Sequence, residues 1–150
     1  SHIYQLAVSP DGRYAATASD DTSVMVWDIV NGKRVMVFQQ HSVRVQVVAF
    51  SPTHNWILSG DHSGKLLLWE PQTGKVLRRF VGHRAGIWGI QFSPDGELAY
   101  TTGSDGHLIV WKVAPQPIEE LVAWTQHNRM VRGFTPEERD LYRIESPAAE

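Results

Sequence analysis

Three copies of one pattern, spaced 42 residues apart, constrain this chain more than any other feature. A repeat of about 40 residues indicates stacked supersecondary units that bury their apolar faces against one another. Three kinds of marker share one register, which indicates a true internal repeat. The recurring positions are Ser9-Pro10, Ser51-Pro52 and Ser93-Pro94; Trp27, Trp69 and Trp111; and His41 and His83.

Each copy contains short apolar segments typical of β-strands, separated by turn residues. Proline with its fixed φ and a closing glycine predict tight turns at Ser9-Pro10-Asp11-Gly12 and Ser93-Pro94-Asp95-Gly96. The second copy, 51–55, lacks that glycine, so its turn should be looser. Asn31-Gly32 and Thr73-Gly74 predict hairpins that lead to a fourth strand. The predicted strands are 3–8, 14–19, 24–27 and 33–38; 45–50, 56–60, 66–69 and 75–80; and 87–92, 98–103 and 108–111.

Composition excludes several classes of protein. With 42% hydrophobic residues among 150, the chain has enough apolar surface for a packed core. A formal net charge of −2 with dispersed cations argues against a nucleic-acid partner. No apolar run approaches the roughly 20 residues of a membrane span. The chain contains no cysteine, so disulfides and thiolate metal sites are excluded.

The sequence also lacks the usual marks of catalysis or metal binding. It contains no Gly-x-Ser-x-Gly elbow, phosphate-binding glycine loop or His-x-x-x-His pair. His41 and His83 occupy the periodic position, which favours a structural role. We therefore expect no catalytic residue, no metal site and no cofactor.

The repeat resembles the WD40 family of β-propellers over residues 1 to 113. Gly82-His83, Asp21, Asp105 and Trp27-Asp28 carry the resemblance, together with the Ser-Pro-Asp-Gly turns. Trp69-Glu70 and Trp111-Lys112 depart from the family's Trp-Asp pair, and Gln40 replaces the glycine before His41. The family fold implies all-β blades of four antiparallel strands each.

The resemblance also implies a buried hydrogen-bond network of His, Ser or Thr, Asp and Trp in each blade. Carried over by position, the network members are Thr17, Asp21 and Trp27; His41, Ser59 and Trp69; and His83, Thr101, Asp105 and Trp111. Ser63 stands where the second blade should have its Asp. We therefore expect that blade to be the weaker one.

Three blades cannot close a propeller ring, which needs about four to eight. The predicted domain, residues 1–116, comprises a first blade (1–40), a second blade (41–82) and a third blade (83–116). Pro115-Gln116-Pro117 replaces the third hairpin, so we expect the last blade to lack its own outer strand. The interpretation is the C-terminal part of a larger propeller, whose missing blades lie in the same chain or another one.

Residues 117–150 predict a short helical tail. Pro117 suits the first helical position, and Thr135-Pro136-Glu137-Glu138 forms a capping box. A strand over 118–124 is the alternative. Trp124, Arg129 and Tyr142 belong to a pattern that resembles the tails of bacterial WD40 proteins.

In the family, partner contacts cluster on the face that carries the network-histidine loop. The matching candidates here are Tyr4, Asp20, Arg44, Gln46, His62, Trp88 and Ser104. Trp88 is the strongest candidate because aromatic residues dominate interface energetics. The alternative, that Trp88 packs against a neighbouring blade, is equally open.

We therefore expect a non-catalytic platform that binds a protein or peptide, of bacterial type and cytoplasmic. The alternative is a sensory or regulatory domain of a multidomain signalling enzyme, with its catalytic module upstream.

Overall fold

The computed structural model describes residues 1–114, which lie in one compact unit, Ser1–Ala114. This unit contains eleven strands and, within the described range, no helix. The strands are β1 (Ile3–Val8), β2 (Tyr14–Ser19), β3 (Val24–Asp28), β4 (Lys33–Phe38), β5 (Val45–Phe50), β6 (Ile57–Asp61), β7 (Leu66–Trp69), β8 (Val76–Phe80), β9 (Ile87–Phe92), β10 (Leu98–Gly103) and β11 (Leu108–Lys112). The predicted helical tail at 117–150, and its strand alternative, lie outside the described residues.

The strands form three separate antiparallel sheets in which each strand pairs with the next along the chain. The first sheet has the order β1-β2-β3-β4 and the second β5-β6-β7-β8. Within residues 1–114 the third sheet has three strands, β9, β10 and β11. The predicted all-β architecture of three repeated units is confirmed, and each predicted strand matches to within one residue.

The Ser-Pro turns close the first hairpin of each blade: β1-β2, β5-β6 and β9-β10. In the first and third turns, the N–H groups of Gly12 and Gly96 donate to the carbonyls of Ser9 and Ser93, each at 2.9 Å. Both glycines have positive φ, 70° and 73°, which a residue with a side chain rarely adopts. In the second turn the His54 N–H bonds the Ser51 hydroxyl instead, at 3.2 Å.

Two apolar layers join the three sheets. Alternating side chains point to opposite faces of a strand, so a strand between two sheets is buried on both sides. All four residues of β7 are buried: Leu67 and Trp69 contact the first blade's layer, whereas Leu66 and Leu68 contact the third blade's layer. The second blade is therefore the centre of the core.

An aromatic contact recurs at each blade junction. The Phe38 and Trp69 rings stack with centroids 4.0 Å apart and planes 1° from parallel. Phe80 meets Trp111 edge-on at 5.2 Å. Trp27 occupies the same place in the first blade, where it is half-buried, and no aromatic ring of the described residues packs on it.

We predict that Trp69→Ala lowers the free energy of unfolding by about 3–5 kcal/mol, because a fully buried ring leaves a cavity. Trp27→Ala should cost about 1–2 kcal/mol, since its ring is only half-buried. Urea denaturation of both variants measures the difference. Equal losses at the two positions would contradict the junction described above.

Candidate interaction face

A chain of hydrogen bonds crosses the third blade from its tryptophan to its acidic residue. The Trp111 indole N–H donates to Thr101 Oγ1 at 2.8 Å. The Thr101 hydroxyl contacts His83 Nε2 at 2.7 Å, and His83 Nδ1 lies 2.9 Å from Asp105 Oδ2. Because the indole can only donate, the threonine oxygen accepts from it and its proton is free for the histidine. The structure thus brings together all four residues assigned to this blade's network.

The second blade has an equally complete network, but its carboxylate is not at the predicted place. Trp69 donates to Ser59 at 3.1 Å, and Ser59 contacts His41 Nε2 at 2.8 Å. The acid is Asp61, whose Oδ2 lies 2.9 Å from His41 Nδ1. The prediction that Ser63 leaves this blade without an acid is therefore wrong. Ser63 instead donates its hydroxyl to Asp61 Oδ1 at 2.6 Å.

The displacement of the acid has a steric reason. Histidine and acid are separated by 20 residues in the second blade and by 22 in the third. In the repeat register, Asp61 corresponds to Gly103. A Cβ added at Gly103 would lie 2.7 Å from His83 Nδ1 and 2.9 Å from Asp105 Oδ1. Gly103 has no side chain, so Asp105 has room to reach the His83 ring. In the second blade the residue at that position is Asp61 itself, which reaches the His41 ring directly.

The first blade carries a reduced version of the network. The Trp27 indole N–H approaches Thr17 Oγ1 at 3.4 Å, a longer contact than in the other blades. Asp21 accepts from the hydroxyls of Ser23 and Ser1, the latter at 2.9 Å. The predicted members Thr17, Asp21 and Trp27 are thus present, with serine hydroxyls around the carboxylate.

The network carboxyls have pKa values below the ordinary 3.8, each for a hydrogen-bonding reason. The Arg84 backbone N–H is the main group that lowers the pKa of Asp105, with His83 adding to it against burial. Hydrogen bonds, chiefly from the Ser23 hydroxyl and also from Ser1, outweigh burial and lower the pKa of Asp21 to about 2. For Asp61, burial raises the pKa, but the bonds from His41 and Ser63 outweigh it and leave the pKa lowered.

We predict that stability falls in acid. A folded pKa below the unfolded value means that the ionised carboxyl stabilises the fold. That contribution is fully present above the unfolded pKa of about 3.8 and is lost as the pH falls towards the lower folded values. Urea denaturation at a series of pH values from about 6 downwards through the carboxyl pKa range measures this loss in the free energy of unfolding. Asp105→Asn should give a shallower acid slope, and an unchanged slope would contradict the assignment.

The candidate partner-binding residues form a second repeated arrangement at one end of the blades. In each blade, the second residue of the first strand (β1, β5 or β9) makes a side-chain hydrogen bond to the loop between the second and third strands. The pairs are Tyr4 with Asp20 at 2.9 Å, Gln46 with His62 at 3.3 Å, and Trp88 with Ser104. We call these six residues together with Arg44 the paired face.

Backbone hydrogen bonds fix the two loops that carry each pair. The N–H groups of Asp20, His62 and Ser104 each donate to a carbonyl just before the first strand of the blade, at 2.8 to 3.0 Å. The acceptors are the carbonyls of His2, Arg44 and Gly86. The structure therefore holds the predicted residues together pairwise, and their contact with a partner stays a prediction.

Exposure differs sharply among these residues. Trp88 is 57% exposed, and its indole N–H points to Ser104 of its own blade. Gln46 is only 5% exposed and its Nε2 has no hydrogen-bond partner among the described residues. Sequence reasoning treated Gln46 as a surface contact. Its burial depends on Gly86 of the adjacent blade, where an added Cβ would lie 2.6 Å from Gln46 Oε1.

Residues 1–114 contain no group of three or more His, Asp or Glu side chains placed to hold a metal ion. No helix among the described residues has the length and apolar character needed to cross a bilayer.

These features define a repeat protein of antiparallel sheets, of which the second and third are each held by a tryptophan–hydroxyl–histidine–acid hydrogen-bond network. The family model "WD domain, G-beta repeat" matches residues 1–28, 32–70 and 74–112. The chain belongs to the WD40 repeat family.

Curated relatives share about one repeat with this chain. A component of chromatin assembly factor 1 from Gallus gallus is 34% identical over 50 residues, which is 33% of this chain and 9% of that protein. Transcription initiation factor TFIID subunit 5 of Caenorhabditis elegans is 44% identical over 43 residues, 29% of this chain and 7% of that protein. The general transcriptional corepressor TUP1 of Saccharomyces cerevisiae is 42% identical over 40 residues, 27% and 6% respectively. The chain thus spans less than a tenth of these relatives.

Proposed function

We propose that this chain is a non-catalytic platform that binds a protein or peptide on the paired face. The observation that carries the proposal is the repetition itself. Three consecutive blades each place a hydrogen-bonded pair at the same end, on loops fixed by backbone bonds. A preformed surface loses little conformational entropy on binding, which favours a recognition role.

The histidine-bound carboxyls of the described residues favour a structural role over catalysis. Asp61 and Asp105, two of the carboxyls with shifted pKa values, are engaged by a histidine ring inside their blades. A general acid or base needs access to substrate, and these groups are occupied by the fold. Among the matched relatives, the names of a chromatin assembly factor and a transcriptional corepressor refer to assembly and regulation.

The proposal includes further blades on both sides of the three described ones. Leu108 is 64% exposed and Val110 51%, whereas the corresponding Leu66 and Leu68 of the second blade are 1% and 2% exposed. On the first blade Leu6 is likewise exposed, where its counterpart is buried. Burial of such residues stabilises by about 25 cal/mol per Å². Blades of the same chain or of another one would cover these faces.

Other parts of the interpretation stay predictions from the sequence. These are the regulatory domain of a multidomain signalling enzyme, the cytoplasmic location and the bacterial type. The matched relatives come from animals and yeast and lend the bacterial type no support.

Selection from a library of random short peptides tests the binding role. We expect the chain to enrich peptides, and Trp88→Ala to weaken their binding at least about tenfold with little change in melting temperature, as for an exposed hot-spot residue. Trp56→Ala is the control for loss of a tryptophan outside the paired face: this partly buried residue follows the Ser51-Pro52 turn, stacks on His54 at 4.1 Å and packs against the second core layer.

No enrichment, or an equal loss of affinity in both variants, would contradict the proposed face. Unfolding of the Trp88→Ala chain would show that Trp88 belongs to the core instead.

A further inference from the structure

Arg44 is an exposed cation that forms no ion pair with a carboxylate of the described residues. Its guanidinium contacts His62 Nε2 at 3.0 Å. Within residues 1–114, Arg44 forms no ion pair with a carboxylate, in contrast to Arg13, which lies 3.5 Å from Asp28. A guanidinium has five N–H donors in a planar fork, so the bond to His62 and the nearby Tyr4 hydroxyl leave further donors for a ligand.

A relay of two side chains holds that guanidinium in place. Arginine can only donate, so His62 Nε2 accepts and the neutral ring carries its proton on Nδ1. His62 Nδ1 then donates to Gln46 Oε1 at 3.3 Å. Gln46 is anchored in the buried strand β5, so the relay connects the core to the surface cation.

The adjacent blade closes over this relay. A Cβ at Gly86 would lie 2.6 Å from Gln46 Oε1 and 3.0 Å from His62 Nδ1. Only a residue without a side chain lets the third blade's loop approach so closely. The relay therefore begins at a packed junction between two blades, where the Gln46 amide is buried, and leads through exposed His62 to exposed Arg44.

One atom of the relay is unfavourable for stability. The buried Gln46 Nε2 has no hydrogen-bond partner among the described residues. A buried donor that loses its bonds to water without gaining a partner is unfavourable. Stability alone would favour an apolar side chain at this position. A positioning role for the amide oxygen, which fixes the His62 tautomer and hence Arg44, accounts for its presence.

The neighbouring blade supplies a charge of opposite sign. The Tyr4 hydroxyl donates to Asp20 Oδ1 at 2.9 Å. This bond is the main cause of the raised pKa of Tyr4, while the charge of Arg44 acts in the opposite direction. Tyr4 therefore lies between an anion on the first blade and a cation on the second. A carboxylate that approaches this face is repelled at Asp20 and attracted at Arg44.

We propose that Arg44, positioned by His62 and Gln46, is the docking point for an Asp or Glu side chain of the partner. This inference rests on the proposed function and specifies its partner. A carboxylate matches the guanidinium fork with two parallel N–H···O bonds, which adds both strength and geometry. The partner segment therefore carries an acidic residue opposite the second blade.

Peptide selection with the full 150-residue chain tests this inference. Peptides enriched by the chain should share an acidic residue, and replacing that residue by its amide should weaken binding about tenfold, the size of one charge-assisted pair. In Arg44→Gln this dependence should vanish, and Arg44→Glu should select peptides with Lys or Arg instead. Arg34→Gln is the matched control, since Arg34 is an exposed arginine on β4.

Gln46→Leu distinguishes the positioning of the Arg44 guanidinium from the effect of its charge. This variant keeps Arg44 but removes the amide that orients His62, so we expect a partial loss of the acidic preference without a lower melting temperature. Enriched peptides without an acidic preference, or with the same preference in Arg44→Gln, would overturn this inference alone. If no peptide is enriched, the proposed function fails as well.

Discussion

The indole N–H of a tryptophan begins the hydrogen-bond network on which the second and third blades depend. In the second blade, Trp69 fixes the Ser59 hydroxyl, which orients His41, which in turn holds Asp61. This network joins β7 and β6 to the loop before β5, and Asp61 also accepts from Ser63 in the loop before β7. Because buried polar groups are costly unless they are satisfied, the network has essentially one geometry. The loops that it fixes are the ones that carry the paired face.

The same tryptophan also packs the blades together, since its ring lies on a phenylalanine of the preceding blade. Polar order within a blade and apolar packing between blades thus depend on one side chain. In the first blade, no phenylalanine ring of the described residues packs on the equivalent Trp27. This tryptophan is half-buried, and its bond to Thr17 is longer, at 3.4 Å. This contrast supports the proposal that a further blade covers the first one. The junction of the second and third blades, where Gly86 approaches Gln46, shows how closely such neighbours fit.

Local signals predicted most of the fold, and the errors lie where a contact depends on another blade or on exact spacing. Strand bounds followed from apolar runs and Ser-Pro turns, which act over a few residues. The acid of the second blade was misassigned because position was carried over from the family, whereas Asp61 reaches His41 from two residues earlier. The burial of Gln46 was missed because it depends on Gly86, which is distant in sequence. Pairing of Trp88 with Ser104 likewise needed the sheet register.

The direction of the hydrogen bonds in the two complete networks is the central claim, and the histidine rings report it directly. Ring-nitrogen NMR of His41 and His83 measures which nitrogen carries the proton. Since Ser59 and Thr101 accept from indoles and the carboxylates only accept, we predict a protonated Nδ1 on both rings. An Nδ1 without its proton on either ring would contradict the network and the blade geometry built on it.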